Sequence, residues 1–131
     1  MWFAGLLFVT LGGRPHDAYG HVFFNWVPFA TQSAAHETEI VVNLLLFVPA
    51  GLLLAWSAGG VSAARVIGLA AGGAAAVSMG IEVVQTFTPL GTAGDITDVM
   101  LNATGCVMAA GLGLAVRCGA QAAGRRPRLT R

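Results

Sequence analysis

Six polar side chains stand within or at the edges of otherwise apolar stretches: Asn43, the pair Glu82 and Gln85, and the run Asp95, Asp98 and Asn102. Amides both donate and accept hydrogen bonds, and ionised carboxylates only accept, so the set could recognise hydroxyls, amines or a cation. Two carboxylates at different depths in a membrane could also serve as general acid and base on a bound substrate. An ionisable group inside a span costs about 2.5–3.5 kcal/mol even on the lower, insertion-derived scales, so such groups usually mark a site.

The elements that must position these groups follow from composition. Hydrophobic residues are 56% of the chain and charged residues 10%, against roughly 45–50% and 25% in soluble domains. The chain therefore reads as an all-α, polytopic transmembrane helical bundle. Its 131 residues leave room for three or four crossings of about 20 residues and no separate soluble domain. We expect one integral membrane domain over residues 1–131, with spans near 1–11, 40–56, 66–87 and 99–116 and a basic tail at 117–131. Segment 1–11 (MWFAGLLFVTL) reaches about 17 Å, short of a hydrocarbon core of about 30 Å. Without the basic n-region of a signal peptide, it reads as the end of a span whose start could lie upstream. Pro49 and Gly51 predict a kink in the second span. Gly-, Pro- and Thr-rich stretches at 57–60 and 89–94 suit short turns between antiparallel helices.

Charge sets the expected orientation. Arg117, Arg125, Arg126, Arg128 and Arg131 follow the last apolar segment, Arg65 lies between two spans, and Arg14 stands apart. Arginine-rich short loops and tails stay in the cytoplasm, which places the C-terminus inside and the loops at 14–39 and 88–97 outside. The tail could also touch anionic lipid, although a topology signal alone explains it. If Arg65 anchors the inner boundary, Glu82 lies 17 residues on, or about 25 Å along a helix and near the outer boundary. Gln85 is one turn further out. Asn43 lies four residues past Glu39 and Asn102 four past Asp98, each about 6 Å below the outer surface. Separate helices thus bring amides and carboxylates to one outward level.

Two ladders of small residues, Gly68, Gly72, Ala76 and Gly80 on one span and Gly105, Ala109 and Gly113 on the last, would allow helix backbones to approach closely. They predict a tight bundle and leave room for a homo-oligomer, or they arise by chance in an Ala/Gly-rich chain.

The ordered motifs resemble those of the VanZ-like membrane proteins. That family carries N-x3-F-x-P-x-G, then E-x2-Q, then R-x2-D-x2-D-x3-N-x2-G on successive helices. Here the first is Asn43, Phe47, Pro49 and Gly51 in NLLLFVPAG, the second Glu82 and Gln85 in EVVQ, and the third Asp95, Asp98, Asn102 and Gly105 in DITDVMLNATG. Upstream, NWVPFAT with Pro28 and Phe29 is similar to the family's N-L-x-P-F segment. Three motifs in separate spans, from about Asn25 to Gly105, are jointly specific. The chain departs from the pattern at Thr92, where the family commonly has arginine. That arginine would pair a neighbouring carboxylate, a service left to Arg14 or a histidine here. The resemblance implies an integral protein of the bacterial cytoplasmic membrane. It also implies a link to low-level resistance to teicoplanin, a glycopeptide directed at lipid-linked cell-wall precursors.

Three functional readings remain open at this point. The leading one is a binding module in which Asn43, Gln85 and Asn102 supply hydrogen bonds and Glu82, Asp95 and Asp98 accept from a membrane lipid headgroup or a lipid-linked cell-wall precursor, with residues 88–94 as a rim. The alternative is an enzyme using a Glu/Asp acid–base pair on a lipid-linked substrate, although no nucleophile elbow, Ser/His/Asp arrangement or Walker loop is present. A metal site from His16, Asp17, His21, His36, Glu37 and Glu39 is the third; these lack ligand spacing and suit a solvated loop. We assign no metal ligand and no cofactor. Interhelical bonds such as Asn43 to Glu82 could instead serve structure alone. Cys106 and Cys118, about 18 Å apart along one helix, are too far apart for a disulfide and read as packing residues. Trp26 and Trp56 near span boundaries fit interfacial anchoring. Nothing suggests nucleic acid as a partner.

Overall fold

The computed structural model describes residues 24–29, 34–87 and 94–124, without the side chains of residues 34–36 and 85. The expected span at 1–11, Arg14, the outer-loop residues 16, 17 and 21, Thr92, the tail from Arg125 onward and the side chain of His36 lie outside the described residues. The elements are β1 (Phe24–Asn25), α1 (Ala34–Leu46), α2 (Val48–Ser57), α3 (Ala63–Phe87), β2 (Gly94–Asp95) and α4 (Ile96–Gly124). The result is an all-α bundle with a two-residue parallel bridge that pairs Phe24 with Gly94 and Asn25 with Asp95. Three stretches are long and apolar enough to cross a membrane: Glu37–Ser57, Ala63–Val84 and Ile96–Gly124.

Each span differs from its expected bounds for a local reason. The first is two helices that meet at Phe47, and Pro49 sits in the first turn of α2. Proline has no N–H to give the preceding turn, and its ring crowds that turn's carbonyl, so α1 ends where α2 begins. Gly51 resumes the ladder by donating its N–H to the Phe47 carbonyl at 3.1 Å. The last helix begins at Ile96 rather than 99 because Asp95 caps it, and it runs to Gly124 rather than 116. Its Ala-rich C-terminal stretch favours helix. At 29 residues it is about 43 Å long, longer than a bilayer core of about 30 Å. Arg117, expected in the tail, lies within α4 and donates to the Ala55 carbonyl, satisfying one of the last-turn acceptors of α2. Between α2 and α3 the chain turns through Gly60 at φ +78°, a left-handed backbone that glycine adopts without steric cost.

Helix α4 is the hub: α1, α2 and α3 all pack on it, while α2 touches α3 little. The core is built from Phe47, Val66, Ala70, Ala74, Cys106 and Ala110, mostly small side chains, as expected where close backbone approach replaces a hydrophobic driving force. The ladder on α4 makes that approach. A Cβ on Gly105 would stand 1.8 Å from the Leu44 carbonyl oxygen, and one on Gly113 would stand 2.8 Å from the Ala55 Cβ. Across the same seam a Cβ on Gly51 would meet the Cys106 carbonyl oxygen at 2.2 Å.

The ladder on α3 does not pack inside the bundle. Gly68, Gly72 and Gly80 have nothing within 4 Å of a built Cβ, and Ala76 is exposed. The buried face is instead Val66, Ala70, Ala74, Ser78 and Glu82, also spaced by four and on the opposite side of the helix. Two period-four rows competed for one interface, and the row carrying Ser78 and Glu82 took it because those polar groups find partners on α4. Cys106 is buried and Cys118 exposed, both as free thiols, so only the first is a packing residue.

Candidate functional site

The polar side chains gather where α4 starts, α3 ends and α1 passes. Asp95 organises them. As the N-cap of α4 it accepts the Thr97 N–H on Oδ1 at 2.7 Å, satisfying one of the helix's orphan donors. Its Oδ2 accepts the Asn25 amide at 3.1 Å, and its own N–H donates to Glu82 Oε2 at 3.0 Å. In a capping box that last role belongs to the third residue of the same helix. Here Glu82 reaches across from α3 to fill it, so Asp98, the third residue, is released to accept from the Asn43 amide of α1.

Below this layer, one turn deeper on each helix, the Asn102 amide donates to Ser78 Oγ at 2.8 Å. Both residues are buried, and Asn102 Oδ1 has no hydrogen-bond partner. Above, Phe29 donates its N–H to the buried Thr97 hydroxyl at 3.0 Å. Gly94 is needed where it stands, because a Cβ there would lie 2.6 Å from both the Phe24 ring and Thr86 Oγ1. Thr86 bonds back to the Glu82 carbonyl at 2.7 Å and so fixes the last turn of α3.

Glu82, Asp95 and Asp98 lie close enough to feel one another's charge, and the N-terminal dipole of α4 favours negative groups at this end. Of the arginines among the described residues, Arg65 opens α3 and Arg117 reaches the end of α2, both at the other end of the bundle. Among the described residues no three His, Cys, Asp or Glu side chains come together as a metal-holding group.

Five of the six predicted residues, Asn43, Glu82, Asp95, Asp98 and Asn102, share one locus; the side chain of Gln85 is outside the described residues. One expected contact differs: Asn43 bonds Asp98 rather than Glu82, because α1 packs on α4 and Glu82 is already turned to the Asp95 N–H. Sequence reasoning missed Ser78, Thr97 and Asn25. A signal existed for each. Ser78 is four residues before Glu82 on one helix face, Thr97 holds the capped position of a helix that opens with aspartate, and Asn25 begins the NWVPFAT segment.

N-x3-F-x-P-x-G thus runs across α1 and α2, E-x2-Q lies on α3 and D-x2-D-x3-N-x2-G opens α4, and of their polar members Asn43, Glu82, Asp95, Asp98 and Asn102 meet at one end of the bundle. Residues 1–117 match the family model described as VanZ/LLP1. The chain belongs to the VanZ-like family. No curated protein and no solved structure matches it. In this VanZ-like membrane protein the apolar motif positions bring the polar ones together: Gly105 and Gly51 set the close approach of α1 and α2 to α4, and Phe47 packs at their junction.

Proposed function

We propose that this protein binds the polar headgroup of a cell-envelope lipid or lipid-linked cell-wall precursor on the outer side of the bacterial cytoplasmic membrane. Through that binding it lowers susceptibility to teicoplanin. The observation that carries the reading is the convergence of Asn43, Glu82, Asp98 and Asn102 from three helices, with the Asn102 carbonyl oxygen buried and unpartnered. A buried acceptor without a donor is uncommon in a finished structure and calls for an occupant. The opposite placement of the arginines supports an outward-facing site.

The residues divide into two groups in this reading. Asp95 spends both carboxylate oxygens on Thr97 and Asn25, so it positions the others. Asn43 orients Asp98. Glu82, whose Oε2 takes the Asp95 N–H, offers Oε1 to a hydroxyl or amine of the headgroup, and Asp98 and Asn102 flank it.

The test uses the full chain expressed in cells lacking any VanZ-like protein. Teicoplanin susceptibility should fall with the native chain and return with Glu82→Gln or Asp98→Asn at equal protein level. Purified protein in detergent should retain a lipid-linked peptidoglycan precursor and lose it with the same variants. The reading fails if both variants protect as the native chain does. The acid–base alternative rests on the adjacency of Glu82 and Asp98, and it would show as turnover of the precursor in the same preparation, abolished by Glu82→Gln.

A further inference from the structure

We infer that residues 24–29 form a second interaction surface, an interfacial anchor that seats the polar end of the bundle among phospholipid headgroups. The inference does not depend on what the polar site binds. The segment FNWVPF has two chemically opposite sides. Its inner side is clamped to the start of α4. Phe24 lies against Gly94, the Asn25 amide donates to Asp95, and the Phe29 N–H donates to Thr97. Asn25 Oδ1 also accepts the Val27 N–H at 3.1 Å, closing a turn of the kind asparagine favours. Phe29 follows in a left-handed conformation, φ +57°, costly for a bulky residue; the Thr97 hydroxyl holds it there.

That turn points apolar groups away from the protein. Trp26 is 67% exposed, Val27 62% and Phe29 48%. The Trp26 ring leans on the Phe24 ring, centroids 4.4 Å apart, and the turn holds three large, exposed apolar side chains within four residues, a patch that water would disfavour. Phe24 pairs with Gly94, and a Cβ on Gly94 would meet both Phe24 and Thr86, so the segment adjoins the last turn of α3, where the Ala63–Val84 span ends. The last turns of α3 also expose Val83, Val84 and Phe87, and α1 exposes Val41 and Val42, so the spans themselves carry an apolar outer surface. At that height the neighbour is the boundary of headgroup and hydrocarbon, where tryptophan concentrates in membrane proteins because its ring is apolar and its N–H wants a wet partner. Asn25 and Thr97 tie this anchor to Asp95, and therefore to Glu82. Lipid contact and the polar site then share one rigid element.

The experiment reads depth. The full chain with Trp2→Phe and Trp56→Phe, leaving Trp26 as the sole tryptophan, is reconstituted into phosphatidylcholine/phosphatidylglycerol vesicles. Nitroxide lipids labelled near the headgroup should quench Trp26 severalfold more than lipids labelled deep in the chain, and aqueous iodide should quench it weakly. Water-like emission with strong iodide quenching overturns the inference. So does stronger quenching from the deep label. As a check with all tryptophans intact, Val27→Cys in a chain with Cys106→Ala and Cys118→Ala, spin-labelled, should be more accessible to oxygen than to a water-soluble nickel chelate. The reverse order also overturns it.

Discussion

Replacing Gly105 with alanine is the sharpest test of how this bundle is held. The added Cβ would stand 1.8 Å from the Leu44 carbonyl oxygen and 2.8 Å from its carbon, whereas a carbon and an oxygen in contact prefer about 3.3 Å. Helix α1 must therefore retreat by about 1.5 Å, and both sides of the clash are helix backbone, which cannot rotate aside as a side chain would. Overpacking of this kind costs about 1–3 kcal/mol, and the rigid geometry puts Gly105→Ala at the upper end. The helix propensity of alanine returns up to about 1 kcal/mol, leaving a net loss of about 2 kcal/mol. Because Asn43 adjoins Leu44, the same retreat draws its amide away from Asp98. Gly72→Ala is the internal control: nothing lies within 4 Å of its Cβ, so only the propensity gain of up to about 1 kcal/mol remains. Reversible unfolding in mixed micelles, titrated with a denaturing detergent, should move the two midpoints in opposite directions. Equal shifts, or a Gly105 variant as stable as the native chain, would refute the reading of α4 as the packing face.

Further perturbations separate fixed structure from free chemistry. Glu82→Gln retains an oxygen for the Asp95 N–H and should keep the native midpoint, whereas Glu82→Ala leaves that donor unsatisfied and should cost about 1–3 kcal/mol in the same titration. Asp95→Asn, a good cap, should be milder than Asp95→Ala, which loses a cap worth about 1 kcal/mol together with the Asn25 bond. Ser78→Ala and Asn102→Leu should each destabilise, and the double variant by less than their sum, with a coupling of about 0.5–3 kcal/mol measurable in a double-mutant cycle. Arg117→Ala should cost about 1.5–3 kcal/mol in the same titration through the Ala55 carbonyl it leaves.

Much of the fold was legible because apolar length is a strong signal: the spans around Asn43, Glu82 and Asn102 stand out by composition, and Pro49 announced the break at Phe47. Depth arithmetic put Glu82 near the outer boundary from Arg65, and Asn43 and Asn102 a turn below it from Glu39 and Asp98; in the structure Asn43, Glu82 and Asp98 lie in one layer and Asn102 pairs with Ser78 a turn deeper. What could not be read was which face of α3 turns inward. Both Gly68-Gly72-Ala76-Gly80 and Val66-Ala70-Ala74-Ser78-Glu82 repeat every four residues, and the choice depends on partners from α4 that local spacing does not reveal. The exchange of capping roles between Asp98 and Glu82 was hidden for the same reason. It is a tertiary bond replacing a local one, and so the pairing of Asn43 with Asp98 could not be told from a pairing with Glu82.

The position of α4 at the centre bears on how the protein is made. It leaves the ribosome after α1, α2 and α3, yet all three have their main packing partner in it. The earlier segments must therefore wait in the bilayer as loosely associated rods, with Glu82 lacking the Asp95 N–H and Asn43 lacking Asp98, until synthesis passes residue 105. A chain cut short before that point would be inserted but never assembled. Carboxylate and amide would stay without their partners at a depth where an ionisable group costs about 2.5–3.5 kcal/mol even on the lower scales.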